Sequence, residues 1–202
     1  MSVDATKLVI PGHGTVFHAP KNTLPPTAGL TAFSLTANTV MNNETVPVAW
    51  KNLGHTSKQN TIAFTKEGGE RETIDTFLAD AVRTTTGSVS WGVNVAALQF
   101  DEDNLDLAFD GDFDPATGGY TVAGSGAIEA ALFLFFQDNT GSIGFWLPNT
   151  EVSLGDAPSV DTANFLELPL TASILSAPAS VIPPVKGRAG LFQIFKTGLA
   201  AA

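Results

Sequence analysis

Cysteine is absent from this chain. That excludes disulfides, thiolate metal sites and cysteine nucleophiles, and it suits folding in a reducing compartment. No run of about 18 apolar residues occurs, so no membrane contact is expected. The longest apolar run, Ala130 to Phe136, has the length of a strand. The opening MSVDATKLVIPGHG lacks a basic region followed by a long apolar stretch, so no secretion signal is expected. Lysine and arginine are missing from the whole stretch between Thr84 and Val185, which carries thirteen carboxylates. Nucleic-acid affinity comes mainly from basic side chains neutralising phosphates. A surface built from this stretch repels a polyanion and cannot grip it. The ten bases lie in the first 83 residues and at the tail end, and the net charge is −10. Charged residues of both signs make up 15% of the chain, below a typical ~25%. Either a large core or burial of surface in an assembly produces that deficit.

A chain of 202 residues fits one domain, read as 1–202. At this size folding buries roughly 70% of the unfolded surface, so no covalent staple is needed. Nineteen glycines and twelve prolines are spread along the chain and space short apolar segments, the pattern of an all-β fold. Strands are expected at Gly14–Ala19, Ala32–Val40, from Val46 through Trp50, at Phe165–Ile174 and at Gly190–Thr197. Pro169 marks an edge position or a bulge. Pro25-Pro26 and Ser176–Pro184 read as irregular connections or arms.

Three segments carry more detail. Thr61–Phe77 reads as a hairpin around Gly68-Gly69. A two-residue loop would oppose Glu67 to Glu70 and Lys66 to Arg71, both like-charged and unfavourable. A three-residue loop pairs Glu67 with Arg71, Lys66 with Glu72 and Phe64 with Ile74, each pair worth roughly 0.2–1 kcal/mol. Ser88–Ala97 alternates, with Val89, Trp91, Val93 and Val95 on one face and small residues on the other. Ile128–Leu147 reads as a second hairpin, turning at Asp138-Asn139-Thr140-Gly141 and pairing Gln137 with Ser142, Phe136 with Ile143 and Leu134 with Phe145. Phe133, Phe135 and Trp146 make its other face apolar as well. A sheet with one wet face would alternate, so this ribbon either lies inside a layered fold or meets another subunit. Asp103–Phe109 is the expected helix, with Leu105, Ala108 and Phe109 on one face. Asp101, Glu102, Asp103 and Asp106 sit at its positive end, and Gly111 is its expected stop.

No motif carries catalysis or a cofactor. Gly190 to Thr197 has the outline of a P-loop, but Phe195 stands where the glycine before the lysine is required. Asp110-Gly-Asp112-Phe-Asp114 opens like a calcium loop, yet Pro115 and Thr121 replace the turn glycine and the bidentate acid. A solvated acidic turn is the default there, with a loose calcium site and a calcium-assisted hydrolase as the minor reading. His13 and His18 point to opposite faces of an extended segment, and neither they nor His55 belong to a nucleophile motif. Trp50, Trp91 and Trp146 sit among apolar neighbours at strand spacing and read as core. The expectation is a non-enzyme with no cofactor and no metal.

Gly12-His-Gly-Thr-Val-Phe17 with Ala19-Pro20, then Trp50-Lys-Asn-Leu-Gly-His-Thr-Ser57, then Trp91 to Phe109 with Leu98-Gln-Phe100, resemble in order and spacing the major tail proteins of long-tailed actinobacterial phages. The resemblance runs from Gly12 to about Phe195. It implies a β-sandwich or partial barrel with one short flanking helix, assembling into a ring. Six-membered rings would stack into the tail tube, which holds the tape-measure protein and then conducts DNA during ejection. Tail-end proteins would cap it, and assembly would take place in the host cytoplasm. Extended arms at about 1–12 and 176–202 and a long hairpin loop at about 53–77 would bridge rings.

Subunit-interface candidates are Phe64, Ile74, Phe133, Phe135 and Trp146, and Phe133→Asp is expected to abolish assembly. Acidic surface candidates are Asp101, Glu102, Asp103, Asp106, Asp110, Asp112 and Asp114. The basic Lys51–Arg83 region is expected to meet the acidic Asp101–Asp114 region of a neighbour and to loosen as salt rises. The competing reading is a soluble β-sandwich binding module for carbohydrate or a receptor, monomeric and with an exposed aromatic cleft.

Overall fold

A computed structural model describes residues 11–124 and 126–197. The architecture is all-β with one short helix. The strands are β1 (His13–Pro20), β2 (Thr39–Met41), β3 (Ala49–Asn52), β4 (Ala63–Gly68), β5 (Arg71–Thr76), β6 (Ala79–Thr86), β7 (Val89–Ala97), β8 (Asp112–Asp114), β9 (Gly119–Thr121), β10 (Ile128–Gln137), β11 (Ser142–Leu154), β12 (Leu168–Ile174) and β13 (Gln193–Thr197). Helix α1 spans Glu102–Phe109, and a 3-10 turn spans Gly29–Ala32. The main sheet runs β2-β3-β1-β10-β11-β12-β7-β4, with β13 also paired to β11.

The β10–β11 ribbon forms the spine, and the sequence patterning explains why. Its register pairs Gln137 with Ser142, Phe136 with Ile143 and Leu134 with Phe145, as the turn chemistry predicts. Asp138 closes that turn by accepting from the backbone N–H groups of Thr140 and Gly141. Strand β11 serves two partners in succession. Ser142 to Trp146 pair with β13, and Thr150 to Leu154 pair with β12.

Both faces of the spine are covered within the chain. On one face Leu132, Leu134, Leu147 and Val152 pack with Val16, Leu53, Val93, Val95 and the helix residues Leu107 and Ala108. On the other, Phe133, Phe135 and Trp146 pack with Phe17, Leu30, Phe33, Trp50 and Ile182. The covering layer there is irregular chain from the 20s, 30s and 180s, and it explains why no strand fills Ala32–Val40. Leu30 and Phe33 enter the core from a 3-10 turn and the residue that ends it, and only the end of the expected strand pairs, as β2. The two indole N–H groups tie the layer down: Trp50 donates to the Leu24 carbonyl and Trp146 to the Thr23 carbonyl. Each buried aromatic contributes roughly 1.5–3 kcal/mol of transfer free energy.

Several boundaries differ from the sequence expectation. Pro169 lies inside the sheet, at the start of β12 opposite Ala96, and not at an edge. A proline is tolerated there because a strand's first positions need fewer ladder donors. In the C-terminal segment Ala177 and Ile182 are buried and β13 pairs with β11, while residues 183–189 are exposed. The arm expected over 176–202 therefore does not start at Ser176. Residues 1–10 and 198–202 lie outside the described residues.

The hairpin expected at Gly68-Gly69 does not form. Strand β4 pairs with β7, placing Phe64 beside Val93, Lys66 beside Trp91 and Glu67 beside Ser90. Strand β5 pairs instead with β6, with Ile74 opposite Arg83 and the turn at Phe77-Leu78. The glycines have positive φ, 74° and 78°, and let the chain continue past a break instead of reversing it. Cross-strand charge pairs worth tenths of a kcal/mol lose here to burial of Phe64, whose ring lies 5.1 Å from Phe145 and 5.8 Å from Phe192. The result is a long hairpin from Ala63 to Ala97 whose outer part, residues 70–88, projects from the sheet. Leu53, expected to open the hairpin loop, is a core residue.

Candidate assembly surface

The acidic region is built around α1. Asp101 caps the helix by accepting from the Asn104 N–H at 3.0 Å, and Glu102 and Asp103 fill the first turn, where the exposed N–H groups favour negative charge. Asp110, at φ 50°, ends the helix one residue before the expected Gly111. The buried helix face is Asn104, Leu107 and Ala108, with Leu105 and Phe109 only partly covered. Asn104 shifts the face by one residue because its amide donates to the carbonyls of Leu53 and Gln99.

The remaining acids are organised by a small β8–β9 hairpin packed against the helix. The Tyr120 hydroxyl donates to Asp106 at 2.7 Å and accepts from the Gly111 N–H at 2.8 Å. Desolvation, and then that bond to Asp106, push the Tyr120 phenol up to about 12. Asp112 and Asp114 are exposed on β8. The Thr117 hydroxyl and the Ala116 N–H hold the Asp114 carboxyl below its ordinary range. The structure thus brings all seven acidic candidates into one region, and gives Asp101, Asp106 and Asp114 local structural partners. Among the described residues no group of three or more potential ligands could hold a metal ion.

Among the described residues two lysines form ion pairs inside the chain. Lys51 pairs with Asp103, and Lys21 pairs with Glu129. Lys51, on β3, therefore answers an acid on α1 of its own chain, against the expectation that its region meets a neighbour's acids. His18, half-buried on β1 beside Lys51, is lowered to about 4 by desolvation, which outweighs the opposing pull of Asp103.

The interface candidates separate into two groups. Phe133, Phe135 and Trp146 are 0%, 1% and 2% exposed, so they belong to the subunit's own core and leave the candidate contact surface. The layered alternative accounts for the two-faced ribbon. Phe64 is partly buried against Phe145 and Phe192. Ile74 remains exposed on β5. It is joined there by residues the sequence reading passed over: Phe77 and Leu78 at the tip, essentially fully exposed, and Val82. The available signal was Phe77-Leu78 standing alone between polar, β-branched segments, too short to be a core strand. Every residue of β5 and β6 is exposed, so this ribbon presents apolar groups that no other described residue covers. Large exposed apolar clusters mark contact surfaces.

Among the described residues no helix is long and apolar enough to cross a membrane. No curated protein matches the chain. Residues 1–182 match the family model described as phage tail tube protein. That match spans the spine, the acidic helix and the projecting ribbon; the chain belongs to the phage tail tube protein family and is a structural, non-enzymatic part of the virion tail.

Proposed function

We propose that copies of this chain close into rings, six to a ring, which stack into a tube whose acidic lumen conducts DNA during ejection. The tape-measure protein occupies the lumen beforehand, tail-end proteins close the tube, and assembly takes place in the host cytoplasm. The observation that carries this reading is the β5–β6 ribbon. A two-stranded ribbon is marginal by itself in water, and this one bears Ile74, Phe77, Leu78 and Val82 uncovered. Contact with a neighbouring copy supplies the missing cover, and contacts between unlike surfaces close rings or extend filaments. The base-free stretch suits the lumen because it offers a sliding polyanion no cation to bind.

Negative-stain microscopy and size measurement of the purified protein test the proposal. Rings or hollow rods are expected. The double variant Phe77→Asp, Leu78→Asp should stay a folded monomer, because neither side chain supports the core. A wild-type protein that remains monomeric at high concentration, or a double variant that assembles normally, would refute the reading.

A further inference from the structure

We infer that one copy docks on the next by seating the tip of its β2–β3 loop, Glu44 to Pro47, in a groove of its neighbour lined by Leu98 and Phe165, with Glu44 meeting Lys58 at the rim; the contact presupposes the ring reading above. The tip is a preformed knob. Residues 43–47 are all exposed, Val46 among them at 76%. Three hydrogen bonds pin its base: the Asn42 N–H donates to the Val48 carbonyl at 3.0 Å, the Val48 N–H to Asn42 Oδ1 at 2.8 Å and the Thr27 N–H to Asn43 Oδ1 at 2.8 Å. Pro47 fixes its own φ. A loop held in shape before contact loses little entropy on docking. The groove is preformed too. It encloses about 560 Å³ between residues 56–59 and residues 162–167, with Leu98, a size typical of binding clefts. Ser57 holds one wall by accepting from the Gln59 and Asn60 N–H groups, and Asp161 holds the other by accepting from the Ala163 N–H and the Asn164 amide. The Asn60 amide donates to Glu167 and joins the two walls. This order leaves Phe165 83% exposed. Folding gains nothing from a phenyl ring held in water, whereas docking of an apolar side chain against it does. The two surfaces match in charge as well. Among the described residues neither Glu44 nor Lys58 forms an ion pair, while the Glu167 carboxylate is engaged by Asn60. Knob and groove are unlike surfaces of one molecule, so their contact repeats from copy to copy and closes a ring or extends a filament.

Val46, Glu44 and Lys58 are exposed, so substitutions there leave the fold intact. Val46→Asp should raise the protein concentration needed for rings or rods by about tenfold or more, the change in equilibrium that losing one buried valine makes, with the circular dichroism spectrum of the wild type. Glu44→Lys and Lys58→Glu should each weaken assembly, and the two together should restore it, since reversing both charges recreates the pair. The chain has no cysteine, so Thr45→Cys and Ala163→Cys place the only thiols on knob and groove. A short bis-maleimide should link these two variants to each other when mixed and neither to itself. It should join copies of the doubly substituted chain into a ladder that ends at the ring size. Rings that form yet give no ladder, or a Val46→Asp variant that assembles at the wild-type concentration, overturn the docking and leave the ring reading standing. A double charge reversal that fails to restore assembly overturns the pairing of Glu44 with Lys58. A wild type that never leaves the monomer overturns both the docking and the ring reading.

Discussion

Phe133 lies between the ring of Phe33, stacked 4.1 Å away at 10°, and the indole of Trp50 at 6.0 Å. Truncating so enclosed a ring leaves a cavity, and Phe133→Ala should cost about 3–5 kcal/mol. Phe133→Asp should fail to fold, because it buries an unpaired carboxylate. Circular dichroism during urea titration distinguishes this from the assembly defect first expected of that variant: a soluble, native-like monomer of Phe133→Asp would return the residue to the interface. His18 gives a second test at the same scale. Its Nε2 is buried without a hydrogen-bond partner, and Asp101, Asp103, Asp106 and Lys51 are the charged groups that act on it. Unfolded histidine protonates near 6.5, but in the fold it stays neutral down to about 4. Between those values the unfolded chain binds more protons, so stability rises with pH. The contribution is complete above 6.5 and is lost as pH falls toward 4, by at most roughly 3 kcal/mol at about 1.4 kcal/mol per pH unit. His18→Gln should flatten the dependence of unfolding free energy over that window, whereas identical profiles would mean that His18 is solvated in the fold. The lowered carboxyls of Asp114, Asp138 and Asp161 act separately, at pH values below the ordinary carboxylate range.

Among the elements, legibility in the sequence followed the distance between partners. The β10–β11 hairpin was readable to the residue near its turn, which is local and specified by Asp138, but not at its far end, where the register shifts between Ala130 and Leu132 and β11 runs on to Leu154. The helix was readable from its acidic start, but its face was displaced because Asn104 buries an amide that binds Leu53 and Gln99. Ribbon β4–β5 was misread because Gly68-Gly69 has turn composition, while the true partner of Phe64 is Val93, far along the chain and selected by packing. The covering layer was invisible for a related reason: Leu30 and Phe33 reach the core from irregular backbone, which has no period to detect. The candidate surface was half legible. Its acids declared themselves by the lack of bases around them. Its apolar tip had only a weak sign, the isolated Phe77-Leu78 pair, whose exposure follows from the β5–β6 pairing that puts it at a turn.

For the molecule as a whole, charge and apolar contact oppose each other in assembly. Each copy carries −10, so copies brought together repel, and the repulsion is long-ranged at low salt. Lys21 and Lys51 are already paired within their own chain, which leaves fewer cations to offset it across a contact. The ribbon tip is apolar, and its burial does not weaken as salt is added. Screening should therefore favour assembly. As the Debye length shrinks from about 30 Å at 0.01 M salt to about 10 Å at 0.1 M and about 3 Å at 1 M, the protein concentration needed for rods should fall. Sodium chloride is the suitable salt, since sulfate strengthens apolar burial by itself. Light scattering at stepped protein concentrations reads the threshold directly. If the threshold instead rises with salt, complementary charge dominates the contact, and the pairing of the Lys51–Arg83 region with a neighbour's Asp101–Asp114 region becomes the better account. If it does not move at all, neither repulsion nor charge pairing governs association, and the apolar tip carries it alone.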